Sequence, residues 1–98
     1  MAFFQLIEFR TQRIDELDAA LDEWIAESKG WRTTTRSTRT KDRDRPDTYV
    51  QVVEFPSYEA AMENSARADT SRLAERLAEL CSEPPLFRNL DVQRMDAL

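Results

Sequence analysis

A short internal repeat constrains the fold of this chain more than any other sequence feature. The segment QLIEF at Gln5–Phe9 matches QVVEF at Gln51–Phe55, and each copy leads directly into an amphipathic helical pattern. Two strand–helix–strand halves of this kind make a ferredoxin-like sandwich. The repeat therefore predicts an α+β fold of order β-α-β-β-α-β, in which helices cover one face of a four-stranded antiparallel sheet.

Hydrophobic periodicity places the elements within a single domain that spans residues 1–98. Alternating β-formers predict strands, and apolar residues at helical spacing predict helices. Gly30 is expected to end the first helix, Ser57 to cap the second, and Pro84 to follow the last. Poor helix formers near 64–71 divide the helical stretch after the third strand into two parts. Expected strands cover 3–10, 31–40, 48–55 and 86–93, and expected helices cover 13–28, 58–65 and 70–82.

The residue types that are scarce exclude several kinds of chemistry. The chain has no His, one Cys and one Gly. Without His there is no Ser-His nucleophile, no imidazole-ligated haem and no usual zinc site. One Cys excludes an internal disulfide, and one Gly excludes a glycine-rich phosphate loop. We therefore expect no metal and no cofactor, and the lone Cys81 with no targeting or membrane-spanning segment indicates a cytoplasmic protein with no membrane partner.

The charge of the chain is negative overall but contains one basic stretch. The formal net charge is −5, whereas residues 32–47 hold six basic and three acidic side chains. RNA-recognition domains share the predicted element order and stack bases on strand aromatics, but Val50 and Val52 stand where such aromatics would be. A chain with net negative charge also binds the negatively charged phosphates of nucleic acid poorly, so no nucleic-acid partner is expected. The basic stretch is interpreted as protection of an edge strand against aggregation, with anion binding as the alternative.

The two central strands carry apolar residues on both faces, although helices can cover only one face. Alternation puts Gln5 and Gln51 on one side of their strands, and puts Leu6 and Val52 on the other. An exposed face this apolar predicts a partner, and a second copy of the chain is the simplest one. In such a homodimer the two glutamines could point into the space between the sheets, or they could satisfy each other or the backbone.

Three segments together resemble the dimeric α+β barrel superfamily, and most closely its small antibiotic-biosynthesis-monooxygenase type. They are FFQLIEFR at the start, VVEFPSYEAAM at Val52–Met62, and PPLFRNLDV at Pro84–Val92. The resemblance implies a homodimer with a ligand cavity between each sheet and its second helix. Some members oxidise phenolic polycyclic substrates with O₂ and without metal or flavin. Others degrade haem with the help of a His ligand, which this chain lacks.

The resemblance also suggests one catalytic candidate. Family members that act on substrate often carry a His or Asn in the first part of the second helix, and Asn64 stands at about that position; the alternative is a residue that caps a helix break. The Trp found in that helix of some active members is missing here. Glu8 and Glu54, near the ends of their strands, would be bases if buried in an apolar cavity, although exposed carboxylates are commoner.

Other polar and aromatic residues are candidates for ligand binding, each with an ordinary structural alternative. Tyrosines could orient a phenol, an arginine on the last strand could steady an anionic oxygen, and a tryptophan after the first helix could line the cavity mouth. The candidates are Gln5, Tyr49, Gln51, Tyr58, Arg88 and Trp31. We thus expect a small dimeric-barrel protein that binds a small apolar or aromatic molecule, with a cofactor-independent monooxygenase as the alternative.

Overall fold

A computed structural model describes residues 2–98 and contains four strands and three helices. The β-α-β-β-α-β order is confirmed, with the second helical stretch divided in two as its sequence predicts. None of the helices within residues 2–98 is long and apolar enough to cross a membrane. The elements are β1 (Phe3–Arg10), α1 (Ile14–Glu27), β2 (Arg36–Lys41), β3 (Thr48–Phe55), α2 (Tyr58–Ser65), α3 (Ala68–Leu80) and β4 (Leu86–Asp91).

The strands form one antiparallel sheet of order β2-β3-β1-β4. The two copies of the repeat are therefore the two central strands, and they pair with each other: Gln5 lies opposite Val53, and Ile7 lies opposite Gln51. Central strands must be apolar on any face that is covered, which explains why the repeat is hydrophobic. This arrangement is the ferredoxin-like fold that the repeat predicts.

All three helices pack on the sheet face that carries Gln5 and Gln51, and this face is called the covered face below. Its core falls into two clusters. Phe9 packs with Leu17 of α1 and with Leu77 and Leu80 of α3. At the other end of the sheet the second cluster joins one residue from each of β1, β3 and α2, namely Phe3, Phe55 and Ala61. Members of both clusters line the cavity described below.

The opposite face of the sheet, called the open face below, has no helix on it. Its central positions are Leu6 and Val52, which lie directly opposite each other in the register. Phe4 and Val50 extend this apolar surface, and all four side chains are only partly buried. The exposed side chains of Leu86 and Leu90 continue it onto β4. An apolar sheet face of this kind is therefore present, as the sequence predicts.

The helix ends follow local sequence signals. The Ser57 hydroxyl accepts a 3.0 Å hydrogen bond from the Ala60 amide and so caps α2 as expected. Gly30 has φ of +96°, in the region that disfavours side chains, and lies just beyond the end of α1. Its position there agrees with the expected role in ending the first helix.

The second strand is shorter than predicted, beginning at Arg36 rather than at residue 31. The backbone amides of Trp31 and Arg32 both donate to the Ser28 carbonyl, which makes a turn out of α1. Thr33 then bonds to α2 rather than to a strand, since its hydroxyl donates to the Ala60 carbonyl at 2.6 Å. β-Branched residues favour strands, but here side-chain bonds to a helix decide the conformation. The last strand also ends two residues early, at Asp91.

Candidate functional site

A cavity of about 540 Å³ lies between the covered face of the sheet and the three helices. This volume is in the range of small-molecule sites. The lining is mainly hydrophobic and comes from every strand and every helix. Its apolar members are Ile7, Phe9, Leu17, Leu21, Trp24, Ile25, Val53, Phe55, Leu73, Ala74, Leu77 and Phe87, and its polar members are Gln5, Asp18, Thr34, Ser37, Arg39, Gln51, Asn64, Ser65, Thr70 and Ser71.

Asn64, the candidate catalytic residue, lines this cavity from the last turn of α2 and is only 5% exposed. Its Oδ1 accepts a 3.4 Å hydrogen bond from the Thr33 amide. Within residues 2–98 its Nδ2 group donates no hydrogen bond. The orientation is therefore held by the oxygen, and the nitrogen is left as a donor to whatever occupies the cavity.

Gln5 and Gln51 both line the cavity within one chain. The sequence suggested that these side chains could point into a space between two sheets. The structure corrects this, because they face the helices and not the open face. Gln5 Nε2 donates to Asn89 Oδ1 at 3.2 Å, and no group in the described part of the chain donates to Gln5 Oε1. Gln51 has both ends of its amide engaged, accepting from Arg39 Nε at 2.6 Å and donating to Ser37 Oγ at 2.7 Å. Gln5 thus offers a free acceptor, whereas Gln51 orients its neighbours.

Arg39 and Asp18 are the charged residues of the lining, and sequence reasoning did not select either one as a site residue. The sequence predicts Arg39 on a protected edge strand, with anion binding by the basic stretch as the alternative; its side chain is 23% exposed and pairs with Asp18 Oδ1 at 2.9 Å. The signal that could have found it is strand register. Arg39 lies opposite Gln51, so the two side chains share the covered face.

Two further polar groups at the cavity differ in their hydrogen bonding, since the Trp24 indole has a partner and the Thr34 hydroxyl has none. Trp24 Nε1 donates to the Thr70 hydroxyl at 3.2 Å, which joins α1 to α3 above the cavity. Thr34 Oγ1 is buried and is without a hydrogen-bond partner in the described residues. A buried hydroxyl without a partner is destabilising by about 1–3 kcal/mol. Thr34 is therefore a group that a bound molecule could satisfy.

Four of the predicted binding residues do not line the cavity, and their contact with a ligand stays a prediction. Tyr49 stacks on Phe9 with ring centroids 5.5 Å apart. Tyr58 is 51% exposed and packs edge-on against Phe3. The guanidinium carbon of Arg67 lies over the Trp31 ring, 4.2 Å from the centroid of that ring. The fourth, Arg88, is opposite Leu6 on the open face.

The candidate bases also lie outside the cavity. Glu8 and Glu54 share the open face, where they approach Arg45 at 3.9 Å and Arg36 at 3.8 Å. Neither carboxylate is enclosed by the apolar lining in which a base was expected. Within residues 2–98 no three side chains of the types His, Cys, Asp or Glu come together in a way that could hold a metal ion.

Comparison with known proteins places the chain by fold alone. No protein-family profile and no curated protein sequence matches it. Solved structures do match over nearly the whole chain. A protein from Caulobacter crescentus assigned to the antibiotic biosynthesis monooxygenases has a TM-score of 0.79 at 11% identity, covering 95% of this chain and 91% of the other. Rv0793 from Mycobacterium tuberculosis has a TM-score of 0.78 at 15% identity, with coverage of 99% and 100%.

A third similar structure is a named enzyme. SnoaB from Streptomyces nogalater, a cofactor-independent oxygenase, has a TM-score of 0.78 at 15% identity and covers 96% of this chain and 95% of its own. An asparagine-to-alanine variant of SnoaB is equally similar. The resemblance inferred from sequence is thereby confirmed for the fold alone: the chain has the ferredoxin-like fold that these structures share. Fold similarity at this identity does not transfer activity.

Proposed function

We propose that this protein binds a small aromatic molecule with oxygen substituents in the cavity on the covered face. The observation that carries the proposal is the composition of the lining, which is an apolar enclosure with a few convergent polar groups. Phe9, Trp24 and Phe55 supply aromatic surface, while Asn64 Nδ2 and Gln5 Oε1 supply a donor and an acceptor without partners of their own. This combination is typical of sites that take a largely apolar ligand and fix its orientation by a few hydrogen bonds.

Filling the cavity tests this proposal. Ala74 and Ala78 are both exposed residues of α3, one turn apart, but only Ala74 lines the cavity. Ala74→Phe should raise the dissociation constant of a dihydroxyanthraquinone by about tenfold or more, and Ala78→Phe should leave it within about twofold. Quenching of tryptophan fluorescence gives the readout, because Trp24 lines the cavity and Trp31 packs against it. Equal binding by both variants, or no binding to the unmodified protein, would contradict the proposal.

A second candidate is cofactor-independent oxygenation of a phenolic polycyclic substrate in the same cavity. The specific observation in its favour is Asn64, which presents an unpaired Nδ2 donor inside an apolar enclosure. A donor in such a place stabilises negative charge as it develops on a substrate oxygen. The reaction balances without an external reductant: an anthrone CH₂ and O₂ give a carbonyl and water. One oxygen atom stays on the ring system, and the two hydrogens leave with the other.

Oxygen consumption distinguishes catalysis from binding. If the protein is an oxygenase, it consumes one O₂ per dihydroxyanthrone converted, and Asn64→Ala lowers the turnover number by about tenfold to a hundredfold. Glu63→Ala is the matched control, since Glu63 is the exposed neighbour of Asn64 on α2. An unmodified protein that binds the anthraquinone but shows no oxygen uptake above the uncatalysed rate would leave binding as the function and exclude this reaction.

We further propose that the open face pairs with a second copy of the chain. Leu6 and Val52 form the centre of that face. Phe4, Val50 and Leu90 extend its apolar surface, and Thr38 and Arg88 flank the central pair on the two edge strands. A contiguous exposed apolar surface favours association, and twofold symmetry is the commonest way to satisfy it. Pairing through this face would bury the apolar surface and leave the cavity on the covered face accessible in both copies.

A further inference from the structure

Arg39 carries the one positive charge among the described side chains that line the cavity. Its guanidinium carbon lies 5.7 Å from the centre of the Phe9 ring and 5.9 Å from the centre of the Tyr49 ring. These rings stack on each other, so they form a fixed surface against which the cation rests. Arg39 is therefore held at the cavity by packing, whereas Arg36, the other arginine of its strand, is largely exposed.

A row of hydrogen bonds on the sheet fixes the direction of the guanidinium. Ser37 accepts from Gln51 Nε2 at 2.7 Å, and Gln51 Oε1 in turn accepts from Arg39 Nε at 2.6 Å. Because both ends of its amide are bonded in this way, Gln51 acts as a positioning residue for Arg39. Within residues 2–98 Arg39 Nη1 donates no hydrogen bond, so the guanidinium keeps donor capacity for a further partner.

The existing ion pair leaves the cation available to a ligand. Arg39 Nη2 lies 2.9 Å from Asp18 Oδ1, but the Asp18 side chain is 50% exposed while that of Arg39 is 23% exposed. Asp18 also lines the cavity, but its half-exposed carboxylate remains hydrated, and ion pairs with an exposed partner are weak. An oxyanion that entered from the cavity would meet Arg39 in a drier environment, where charge-assisted hydrogen bonds are stronger.

We propose that Arg39 makes the cavity selective for aromatic oxyanions, and that Asp18 weakens this selectivity by competing for the same guanidinium. The ligand class is an aromatic ring system with a carboxylate, sulfonate or phenolate group. The rings occupy the apolar lining beside Val53 and Leu73, and the anionic group contacts Arg39. This inference rests on the proposed function, because it concerns the ligand of the same cavity.

Two fluorescent probes that differ by one anionic group test the inference. They are 1-anilinonaphthalene-8-sulfonate and its neutral counterpart N-phenyl-1-naphthylamine. The quantity measured is the affinity for the sulfonate divided by the affinity for the neutral probe. Arg39→Gln should lower this ratio by about tenfold, and Asp18→Asn should raise it by about threefold. Arg36→Gln is the matched control, because it removes the same charge from the same strand on the open face and should leave the ratio unchanged.

The possible outcomes separate this inference from the proposed function. If both probes bind the unmodified protein and lose affinity in Ala74→Phe, the cavity is the binding site. A ratio that then stays unchanged in Arg39→Gln, or falls equally in Arg36→Gln, would overturn the role of Arg39 and leave the cavity as a neutral aromatic site. If neither probe binds, or if Ala74→Phe binds both as well as the unmodified protein does, the proposed function fails and the inference fails with it. Thermal unfolding of each variant confirms that the fold is retained.

Discussion

The hydroxyl group of Thr11 joins the start of α1 to Leu80 at the end of α3. Its Oγ1 donates a 2.6 Å hydrogen bond to the carbonyl of Leu80, the last residue of α3, and accepts a 2.9 Å hydrogen bond from the Arg13 amide. Thr11 is 1% exposed, so water cannot replace either bond. Since α1 and α3 form two sides of the cavity, this contact fixes their relative position.

Replacing Thr11 by Val should therefore destabilise the protein. The substitution keeps the side-chain shape but leaves the Leu80 carbonyl and the Arg13 amide without their partner, which should lower the free energy of unfolding by about 1–3 kcal/mol. Urea denaturation followed by circular dichroism measures the change. Thr34→Val is the control, since the buried Thr34 hydroxyl has no hydrogen-bond partner in the described residues and its removal should not lower stability. Equal effects of the two substitutions would show that the bonds of Thr11 contribute nothing.

The turn between β2 and β3 predicts a titration shift at Asp42. The backbone amide of Asp44 lowers the pKa of the Asp42 carboxyl below its usual value, assisted by the Arg45 amide and side chain. Because the pKa is lowered in the folded state, the stability that this group contributes is present above the unfolded pKa and is lost as the pH falls through the folded pKa. Carboxyl ¹³C NMR should show the lowered midpoint.

Removing the Arg45 side chain separates the causes of that shift. Since the Asp44 amide is the largest cause and the Arg45 amide is retained, the pKa of Asp42 should stay below the ordinary aspartate value in Arg45→Ala. A return of the midpoint to the ordinary aspartate value would show that the arginine, and not the backbone of the turn, holds the carboxylate.

Cys81 should be a slow nucleophile in the folded protein. Burial raises the pKa of its thiol above the usual value, and a backbone hydrogen bond at Arg10 opposes this only partly. The thiolate fraction near pH 8 is therefore small, and iodoacetamide should alkylate Cys81 more slowly than it alkylates the same chain in guanidinium chloride. The raised pKa also makes stability depend on pH. Below the pKa of the unfolded thiol it has no effect, and stability is lost as the pH rises from there through the pKa of the folded state. Equal alkylation rates in the two states would refute the shift.

A lysine at the centre of the open face should prevent self-association. Val52 lies opposite both Leu6 and Thr38, so Val52→Lys would place an ammonium group in the middle of the proposed interface. Sedimentation velocity should show a dimer for the unmodified chain and a monomer for Val52→Lys, because burying an unpaired charge costs several kcal/mol. Ala78→Lys on the exposed side of α3 should sediment like the unmodified chain. An unmodified chain that sediments as a monomer at micromolar concentration contradicts the pairing.

Much of the fold is local in origin, which is why sequence reasoning reached it. The bounds of β3 at Thr48–Phe55 and of α2 at Tyr58–Ser65 match their predictions, since alternation and a serine cap depend only on neighbouring residues. The second strand was placed too early because Thr33 bonds to the Ala60 carbonyl, a partner that is distant in sequence. A propensity cannot anticipate such a bond.

The candidate site was predicted only in part, for the same reason. Asn64, Gln5 and Gln51 do line the cavity, but Arg39 was assigned to an exposed strand and Tyr58 was expected at the ligand. Arg39 becomes a site residue only when its strand pairs with β3 and Asp18 of α1 packs across from it. Three separate segments have to meet before that environment exists.

By itself the sequence determined which residues share a strand face, because side chains alternate with a period of two whatever else surrounds the strand. It could not determine which face the helices would cover, because Leu6 and Val52 are as apolar as Ile7 and Val53. The tertiary structure made that choice, since the connections bring α1 and α3 onto the face of Phe9. That packing put the two glutamines against an internal cavity and left Leu6 and Val52 on the open face.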